Sequence, residues 1–253
     1  MRKVLIVTGG ASGIGAATAR LAAQRGFSVA INFRTREREA AQVVEEICNA
    51  GGSAIATKGD CTNERDVRNL FESATSELGV VTAVVNSAGV DLPNVGVADV
   101  DAQQLANLLM TNVFGVMLCC RAAVRVMSRR LGGTGGVVVN VSSMAATIGG
   151  RPGSSHYAAS KAAVDAFSLG MAKEVAQEGI RVVSVRPGMT LTEMTRARLS
   201  DASTGRAIAS SIPIGRVAQV DEVAAPIVWL LSDKASFVTG TCLDISGGGF
   251  VVG

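Results

Sequence analysis

The chain has 253 residues, 48% of them hydrophobic and 18% charged, and its formal net charge is +3. This length is sufficient for a sizeable buried core. The basic excess is slight, and the chain has neither Lys/Arg runs nor basic residues interleaved with aromatic ones, which argues against a nucleic-acid partner. One histidine and five scattered cysteines are too few for a usual zinc site, so we expect no bound metal.

Cysteine usage and hydropathy indicate a cytoplasmic protein. The five cysteines are odd in number and form no CxxC pair, which favours reduced thiols over a disulfide framework. The apolar run at residues 4–7 is too short for the core of a signal peptide. The longest uncharged stretch, residues 131–150, is rich in Gly, Ser and Asn, so we predict no membrane span.

Short apolar, β-branched runs alternate with longer segments of helical periodicity along the chain. The predicted strands are residues 3–7, 28–32, 53–58, 83–86, 136–141, 180–186 and 242–245. The predicted helices are residues 13–25, 36–50, 64–78, 101–130, 157–178 and 221–232. Near-continuous hydrophobicity is typical of strands buried on both faces, and strand–helix alternation predicts parallel strands with right-handed crossovers. The sequence therefore predicts an α/β fold, in which residues 1–253 form a single domain with a doubly wound parallel sheet (a Rossmann fold) and helices on both faces.

A glycine-rich turn joins the first predicted strand to the first predicted helix. Gly9, Gly13 and Gly15 follow the spacing Gly-xxx-Gly-x-Gly. Glycine permits a tight turn and lets backbone amides approach a pyrophosphate, and the helix N-terminus adds a partial positive charge. A purely structural glycine turn is the alternative, but the position between strand and helix favours a dinucleotide-binding loop.

The end of the second predicted strand indicates which dinucleotide is bound. An acidic residue there usually accepts the ribose 2′-hydroxyl of NAD, whereas an Arg accommodates the 2′-phosphate of NADP. The strand ends at Asn32 and Phe33 without an acid, and Arg34 follows at once. Because a planar guanidinium matches a phosphate, we predict NADP in preference to NAD. We interpret Arg36 and Arg38 as a solvated face of the next helix.

Two further positions at strand ends suit a nucleotide. Asp60 follows the third predicted strand, near the expected adenine, although an acid at a helix N-terminus is the alternative. Residues 86–89, Asn-Ser-Ala-Gly, follow the fourth strand and leave room for a ribose. Ligands of doubly wound sheets usually lie beyond the carboxyl ends of the strands, where both positions fall.

The only tyrosine of the chain, Tyr157, is followed four residues later by Lys161. Residues at this spacing share one face of a helix. An ammonium about 4 Å from a phenol stabilises the phenolate by up to about 4 kcal/mol. That lowers the pKa of the phenol toward about 7 to 8, where a general acid–base works best. A chance lysine is the alternative, and we interpret the neighbouring His156 as a cleft-edge residue.

The region after the sixth predicted strand differs in composition from the rest of the chain. Residues 189–212 are polar and rich in small residues and Arg, so we predict a mobile substrate loop in a position suited to a lid. Further along, Pro226 interrupts the last predicted helix, where an interior proline costs about 3 kcal/mol. Either this helix begins near Ala225 or it is kinked.

Taken in order, these motifs resemble those of the short-chain dehydrogenase/reductase family over essentially the whole chain. The motifs are the glycine turn, the Asn-Ser-Ala-Gly segment, Asn112, Ser143, Tyr157-xxx-Lys161 and Pro187-Gly188, at matching distances. Within that family, the chain is similar to bacterial members labelled glucose 1-dehydrogenase-like or 3-oxoacyl-acyl-carrier-protein-reductase-like.

The resemblance implies a catalytic tetrad. Tyr157 would be the acid–base, and Lys161 would lower its pKa and bind the nicotinamide ribose. Ser143 would hydrogen-bond the substrate oxygen, and Asn112 would hold a water in a proton relay. Ser142 is a rival for Ser143, because Ser143 is one residue further from Tyr157 than is commonest in the family. Ser143 could instead cap a loop, and Asn112 could face solvent or bond to its own backbone.

The resemblance also implies which residues contact the dinucleotide. They are Gly9, Ser12, Gly13, Ile14, Gly15, Arg34, Asp60, Cys61, Asn86, Ala88, Gly89, Tyr157, Lys161, Pro187, Gly188, Thr190 and Thr192. The chain departs from the family pattern at Ser87, where a second Asn is usual, and at Thr190, where a branched apolar residue is usual. A backbone contact at Thr190 tolerates that change.

The sequence thus predicts an oxidoreductase that transfers a hydride between NADP(H) and a small-molecule carbonyl or secondary alcohol. A sugar, a β-ketoacyl thioester and an aromatic ketone all remain candidate substrates. A non-catalytic NADP(H)-binding sensor or a scaffold protein is the alternative, and the intact Tyr157–Lys161 pair argues against a sensor. The resemblance implies a homotetramer or homodimer, with the helices at residues 101–130 and 157–178 at an interface; an ordinary buried core helix is the alternative.

Overall fold

The computed structural model of the chain describes residues 3–92 and 95–249. The strands within them are β1 (Val4–Thr8), β2 (Ser28–Phe33), β3 (Ser53–Lys58), β4 (Val81–Asn86), β5 (Gly136–Val141), β6 (Ile180–Pro187) and β7 (Thr241–Ile245). Each of the seven predicted strands is confirmed, with ends displaced by at most two residues. The central strands are rich in Val, Ile and Leu because β-branched and aliphatic side chains fit a sheet that is buried on both faces, whereas the edge strands β3 and β7 are more polar and more exposed.

The strands form one parallel sheet in the order β3-β2-β1-β4-β5-β6-β7. The strand order reverses at β1, which pairs with β2 on one side and with β4 on the other. A reversal of this kind leaves a crevice beyond the carboxyl ends of the two central strands. Thr8 and Asn86 are register partners at the ends of β1 and β4, so the turns that follow these strands meet at the crevice.

Helices cover both faces of the sheet. They are α1 (Gly13–Gln24), α2 (Glu37–Asn49), α3 (Glu64–Leu78), α4 (Ala102–Leu109), α5 (Gly115–Met127), α6 (Ala145–Ile148), α7 (Ser155–Val175), α8 (Glu193–Ser200), α9 (Ala202–Ser210) and α10 (Val220–Leu230). Successive residues of a strand point to opposite faces. Leu5 and Val7 accordingly join the core formed with α1, α2 and α10, whereas Val4 and Ile6 join the core formed with α3, α5 and α7. The predicted doubly wound α/β sheet is confirmed.

The predicted helix at residues 101–130 is not one regular helix. A π-helical turn, Met110–Phe114, separates α4 from α5. A π turn adds a residue to the helix and occurs frequently at functional sites. Here it places Asn112 in the interior, where the residue is 0% exposed. Apolar periodicity did not reveal this turn, because one added residue changes the pattern only slightly.

The segment at residues 189–212, predicted as a loop, contains two short helices, α8 and α9. Thr192 and Thr195 form a capping box at the start of α8. Asp201 caps α9, accepting a hydrogen bond from the Thr204 amide at 2.7 Å. Sequence reasoning missed the helices because both are short and lack a strong apolar face. The mobility of this segment stays a prediction.

The last helix, α10, begins at Val220, so the alternative that starts it near Ala225 is wrong. Pro226 lies inside the helix and deprives the Glu222 carbonyl of its intrahelical amide partner. Gln219 and Glu222 form a capping box that stabilises the first turn.

The segment Ala102–Met127 is long and apolar enough to cross a membrane by length and composition alone. In the folded chain, α5 contacts α3, α7 and β4. Of the most apolar part of the segment, 44% is buried inside the protein. These contacts are those of a core helix, which meets the same length and composition test.

Candidate active site

A cavity of about 450 Å³ lies beyond the carboxyl ends of the strands. Its walls are the turns that follow β1 to β6, together with the beginning of α8. Every predicted cofactor-contacting residue lines it except Gly15 and Asn86. The predicted catalytic residues Ser143, Tyr157 and Lys161 line it as well. One cavity therefore brings together the predicted dinucleotide loop and the predicted proton-transfer group.

The turn after β1 requires glycine because its backbone lies very close to other backbone atoms. Gly9 has φ +63° and Gly13 has φ +54°, in the left-handed region that favours glycine. A Cβ at Gly9 would lie 2.8 Å from the Cα of Ala88. Gly15 does not line the cavity, so its contact with a cofactor stays a prediction. Its own Cβ would lie 2.4 Å from the Gly9 carbonyl oxygen, so glycine there lets α1 approach the turn.

The N-terminus of α1 fits an anionic group. Ser12 occupies the N-cap position, but its hydroxyl accepts no hydrogen bond from the first amides of the helix. Ser12, Gly13 and Ile14 all line the cavity. The first amides of a helix have no intrahelical partner, and they favour a phosphate. This cradle therefore matches the pyrophosphate of a dinucleotide.

Two arginines line the cavity where the chain leaves β2. Arg34 pairs with Asp60, with 3.5 Å between Nη1 and Oδ2. Partial burial opposes ionisation of Asp60, but hydrogen bonds from Thr62 and the nearby Arg34 keep the pKa of its carboxyl below the ordinary value. Arg36 forms an ion pair with Glu193 at the start of α8. Arg36 and Arg38 are exposed, as predicted, but the folded chain also brings Glu193 of α8 against Arg36, which the sequence did not predict.

Tyr157, Ser143 and Lys161 meet at the other end of the cavity. Tyr157 and Lys161 share one face of α7, and Lys161 Nζ lies 5.8 Å from the centre of the phenol ring. The ammonium is held in place by β5, because Nζ donates a hydrogen bond of 2.8 Å to the Val141 carbonyl at the end of that strand. Lys161 is 5% exposed, so a fixed cation lies beneath the phenol.

The predicted lowering of the tyrosine pKa is wrong. Burial raises the pKa of Tyr157 to about 12, a hydrogen-bonding interaction with Ser143 opposes the rise, and Asp91 adds to it. Removal of water disfavours the phenolate, and this effect outweighs the attraction of the Lys161 ammonium, whose Nζ lies 5.8 Å from the ring centre and donates a hydrogen bond to Val141. The phenol is therefore a protonated donor at neutral pH.

The two adjacent serines after β5 have different partners. The Ser142 hydroxyl donates a hydrogen bond of 3.0 Å to the backbone carbonyl of Lys161 and is buried. The Ser143 hydroxyl accepts a hydrogen bond of 3.1 Å from the Ala145 amide and interacts with Tyr157. Of the two, the structure places Ser143 beside the phenol, while Ser142 holds α7 against β5. The loop-capping bond of Ser143 is present too, so the two interpretations of this residue coexist.

Asn112 lies behind the cavity instead of lining it. Its Oδ1 accepts a hydrogen bond of 2.8 Å from the Val90 amide, and its Nδ2 donates one of 2.9 Å to the Val90 carbonyl. Nδ2 also lies 3.1 Å from the Ser160 hydroxyl. A Cβ built on Gly89 would lie 3.4 Å from both Asn112 Oδ1 and Lys161 Nζ. These hydrogen bonds hold the turn after β4 next to Lys161. The alternatives in which Asn112 faces solvent or bonds to its own backbone are therefore wrong.

The side chain of Asn86 is engaged beneath the cavity, so the structure shows no side-chain contact with the cavity, and its contact with a cofactor stays a prediction. Its Nδ2 donates to Asn140 Oδ1 at 2.8 Å, and Asn140 Nδ2 donates to the Ser168 hydroxyl at 2.9 Å. The Oδ1 of Asn86 is buried and has no hydrogen-bond partner among the described residues. This chain of polar groups ties β4, β5 and α7 together beneath the site.

His156 is buried, at 8% exposed, so its interpretation as a cleft-edge residue is wrong. Its Nε2 lies 2.9 Å from the Leu92 carbonyl oxygen. Nearby, the Val95 amide donates to the Gly153 carbonyl at 3.2 Å. These two contacts join the segment after β4 to the segment before α7.

Sequence reasoning missed several residues of the cavity wall. They are Ala11, Asn32, Phe33, Thr35, Arg36, Gly59, Ser87, Val90, Thr111, Val141, Glu193, Met194 and Thr195. Most of these residues are adjacent in sequence to predicted positions, so extending the predicted segment at each strand end would have included them. Glu193, Met194 and Thr195 follow Thr192 within the predicted substrate loop, but the helix that brings them to the cavity was not predicted.

Burial of Lys161 predicts a pH-dependent stability. Burial lowers the pKa of Lys161 from 10.5 to about 8, opposed by Asp165 and Asp91. Between these values the unfolded chain binds more protons than the folded chain, so this group makes stability rise with pH. Relative to Lys161→Met, the wild type should gain up to about 3 kcal/mol from pH 8 to pH 10.5 in denaturant unfolding. A stability difference that stays constant over this interval would contradict the buried position of the ammonium.

Comparison with known proteins agrees with this geometry. A family profile described as enoyl-(acyl carrier protein) reductase matches residues 9–249. The chain is 43% identical over 247 residues to the uncharacterized oxidoreductase YgfF of Escherichia coli K12, covering 97% of this chain and 99% of that protein. It is 38% identical over 248 residues to a 3-oxoacyl-[acyl-carrier-protein] reductase of Bos taurus, covering 98% of both.

A solved structure shows the same fold. The short-chain type dehydrogenase/reductase from Mycobacterium ulcerans superposes with a TM-score of 0.91 at 33% identity, covering 97% of this chain and 89% of that one. The matches extend over nearly the whole sequence and include the glycine turn and the tyrosine–lysine pair of the cavity. The chain therefore belongs to the short-chain dehydrogenase/reductase family, whose members are NAD(P)-dependent oxidoreductases.

Proposed function

We propose that the chain transfers a hydride between NADP(H) and the carbonyl or secondary alcohol of a small molecule, with Tyr157 as the general acid–base. The observation that carries this proposal is the meeting of Tyr157, Ser143 and Lys161 with the glycine turn in one cavity. A dinucleotide in that cavity would be held with its pyrophosphate at the start of α1 and its nicotinamide near Tyr157.

The residues that would hold the dinucleotide are distributed along the cavity. The uncapped amides at the start of α1 would bind the pyrophosphate. Arg34 would bind the 2′-phosphate, and Asp60 lies beside it where an adenine would be placed. Lys161 would bind the nicotinamide ribose. The nicotinamide supplies or accepts the hydride, while the protein orients the reactants and controls the proton.

Proton transfer would rest with Tyr157. Its pKa of about 12 keeps the hydroxyl protonated at neutral pH, so it can donate a proton to the substrate oxygen during carbonyl reduction. Ser143, beside the phenol, would donate a hydrogen bond to the same oxygen as negative charge develops there. Alcohol oxidation would follow the same steps in reverse, with the phenolate as base.

Lys161 would act on the phenol through its charge. With a pKa of about 8, the ammonium is mostly protonated at neutral pH. A fixed positive charge beneath the ring favours the phenolate that forms after proton donation. Anchoring by the Val141 carbonyl holds that charge in place, which suits a group that must not move during the reaction.

The preference for NADP(H) is tested by Arg34→Ala. Hydrogen bonds between charged groups contribute about 1.5–3 kcal/mol, so NADPH affinity should fall by about tenfold or more. NADH affinity should change by less than about twofold, because NADH has no 2′-phosphate. Both dissociation constants can be measured by titration of intrinsic or nucleotide fluorescence.

Arg38→Ala is the matched control, because Arg38 is exposed on α2 and does not line the cavity. It should leave both affinities unchanged. An unchanged ratio of NADPH to NADH affinity in Arg34→Ala would refute the assignment of Arg34 to the 2′-phosphate.

The activity itself is tested with NADPH and a panel of ketones, aldehydes, oxidised sugars and β-ketoacyl thioesters, following loss of the reduced nicotinamide absorbance. The thioesters are included because one relative is a 3-oxoacyl-[acyl-carrier-protein] reductase. Turnover of any member supports the proposal. Tight NADPH binding without turnover across the panel would favour the sensor or scaffold alternative.

We further propose a cytoplasmic homotetramer or homodimer assembled through the α4–α5 region. Met110, Phe114 and Met117 lie one helical turn apart and are 41%, 42% and 36% exposed. Sedimentation velocity should therefore show an oligomer, and Phe114→Arg should shift it toward a smaller species. A wild-type monomer at micromolar concentration would contradict this assembly.

A further inference from the structure

The two arginines after β2 are engaged by acids from different parts of the fold. Arg34 is paired with Asp60, which follows the adjacent strand β3. Arg36 is paired with Glu193, the first residue of α8, from the segment that follows β6 on the far side of the sheet. Arg36 and Glu193 both line the cavity. Their ion pair therefore bridges two walls that belong to distant parts of the sequence.

Glu193 is held in place by the first turn of α8. The Thr192 amide donates to Thr195 Oγ1 at 3.0 Å, and Thr195 Oγ1 donates to the Thr190 carbonyl at 2.6 Å. A Cβ at Gly13 would lie 3.6 Å from Thr192 Cγ2, so this turn sits directly over the glycine loop. The backbone that carries Glu193 is thus held by the turn that covers the expected pyrophosphate site.

We propose that Glu193 determines the choice of dinucleotide by competing with a 2′-phosphate for Arg36. This inference rests on the proposed binding of a dinucleotide in the cavity and adds a second residue to its selectivity. NAD(H) has only a hydroxyl at the 2′ position, so the ion pair between Arg36 and Glu193 remains formed when NAD(H) binds. NADP(H) brings a phosphate of about −2 charge, which draws Arg36 away from Glu193.

The charges at this end of the cavity support the competition. Arg34 and Arg36 supply two positive charges, and Asp60 and Glu193 supply two negative charges. A 2′-phosphate therefore enters surroundings in which each guanidinium already has a carboxylate partner. The Arg36 and Glu193 side chains are 43% and 49% exposed, and ion pairs with that exposure are weak. A phosphate can displace the carboxylate, but the displacement lowers its affinity.

Glu193→Gln tests this proposal, since it removes the competing charge and keeps the size of the side chain. We expect NADPH to bind two- to fivefold more tightly and NADH to bind equally or slightly more weakly. The ratio of NADPH to NADH affinity, measured by calorimetry or fluorescence, should therefore rise two- to fivefold. The gain for NADPH should disappear when Arg36→Gln is added to Glu193→Gln.

Glu37→Gln is the matched control. It removes one negative charge next to Arg36 in sequence, but Glu37 faces Lys58 at 3.9 Å and does not line the cavity. A ratio in Glu193→Gln that changes no more than in Glu37→Gln would overturn the proposal. A variant that binds neither dinucleotide, together with a wild type that binds neither, would instead refute the underlying cofactor assignment.

Limited proteolysis provides a second test of the proposal that does not depend on measured affinities. Arg196 and Arg198 are tryptic sites within α8. At equal saturation, the wild type should be cleaved there faster with NADPH than with NADH, because only NADPH opens the Arg36–Glu193 pair. The difference should vanish in Glu193→Gln. Equal cleavage of the wild type with both dinucleotides would overturn the proposal.

Discussion

Replacing Tyr157 with Phe should lower kcat for carbonyl reduction by about 10²- to 10⁴-fold, the usual contribution of a positioned general acid. The ring remains, so the packing of α7 and the position of Lys161 should be preserved. NADPH affinity should change by less than about twofold, because the pyrophosphate and 2′-phosphate sites are remote from the phenol. Single-turnover kinetics with saturating NADPH measures the chemical step directly.

Turnover of Tyr157→Phe within about tenfold of the wild type would contradict this prediction, because it would mean that another group protonates the substrate oxygen. Ser143 would then be the first candidate, since it lies beside the phenol. A parallel loss of NADPH affinity would indicate that the substitution disturbs the cavity instead of the proton transfer.

Replacing Gly15 with Ala should weaken NADPH binding by about tenfold to a hundredfold. The added Cβ would lie 2.4 Å from the Gly9 carbonyl oxygen and 3.0 Å from the Gly9 carbonyl carbon. Both contacts are with backbone, so the glycine turn must move, and overpacking of this kind costs about 1–3 kcal/mol. Because the displaced turn would have to return to its original position to bind the pyrophosphate, this strain opposes binding, and at about 1.4 kcal/mol per factor of ten it accounts for the expected loss. Calorimetric titration with NADPH measures it.

Gly170→Ala provides the control, because Gly170 lies exposed within α7 and a Cβ there meets nothing within 4 Å. Alanine is favoured over glycine by about 1 kcal/mol inside a helix, so this variant should be slightly more stable and should bind NADPH normally. If Gly15→Ala bound NADPH as tightly as Gly170→Ala, the tight approach of α1 to the turn would not matter for the cofactor.

The fold was predictable from sequence because the central strands are short apolar runs that are almost entirely buried, as in β1, β4, β5 and β6. Leu5 and Val7 fill one core while Val4 and Ile6 fill the other, and no polar position interrupts the run. Local pattern therefore determines where strands begin and end. The π turn around Asn112 was not predictable in this way, since it depends on contacts with Val90 rather than on periodicity.

The candidate site was predictable where the chemistry resides in neighbouring residues. The glycine turn and the Tyr157–Lys161 pair are local motifs, and both line the cavity as expected. Effects that depend on burial were not predictable. The pKa of Tyr157 rises instead of falling, because removal of the phenol from water outweighs an ammonium 5.8 Å from the ring centre.

Side-chain direction and long-range pairing were also beyond local reasoning. Asn86 follows the predicted pattern, yet its amide joins Asn140 beneath the site instead of the cavity. Arg36 is exposed as predicted, but its ion pair with Glu193 of α8 was not predictable from its neighbours in the sequence. Both depend on elements that are distant in sequence, so only the assembled structure reveals them.

The central claim is that the Tyr157 hydroxyl exchanges a proton with the substrate oxygen at the nicotinamide end of the cavity. A crystal structure of the chain with NADP(H) and a bound ketone or alcohol from the substrate panel tests it most directly. We predict that the phenol oxygen lies within about 2.6–3.2 Å of the substrate oxygen, with Ser143 bonded to the same atom. A substrate oxygen held by other groups, with the phenol beyond hydrogen-bond reach, would contradict the claim.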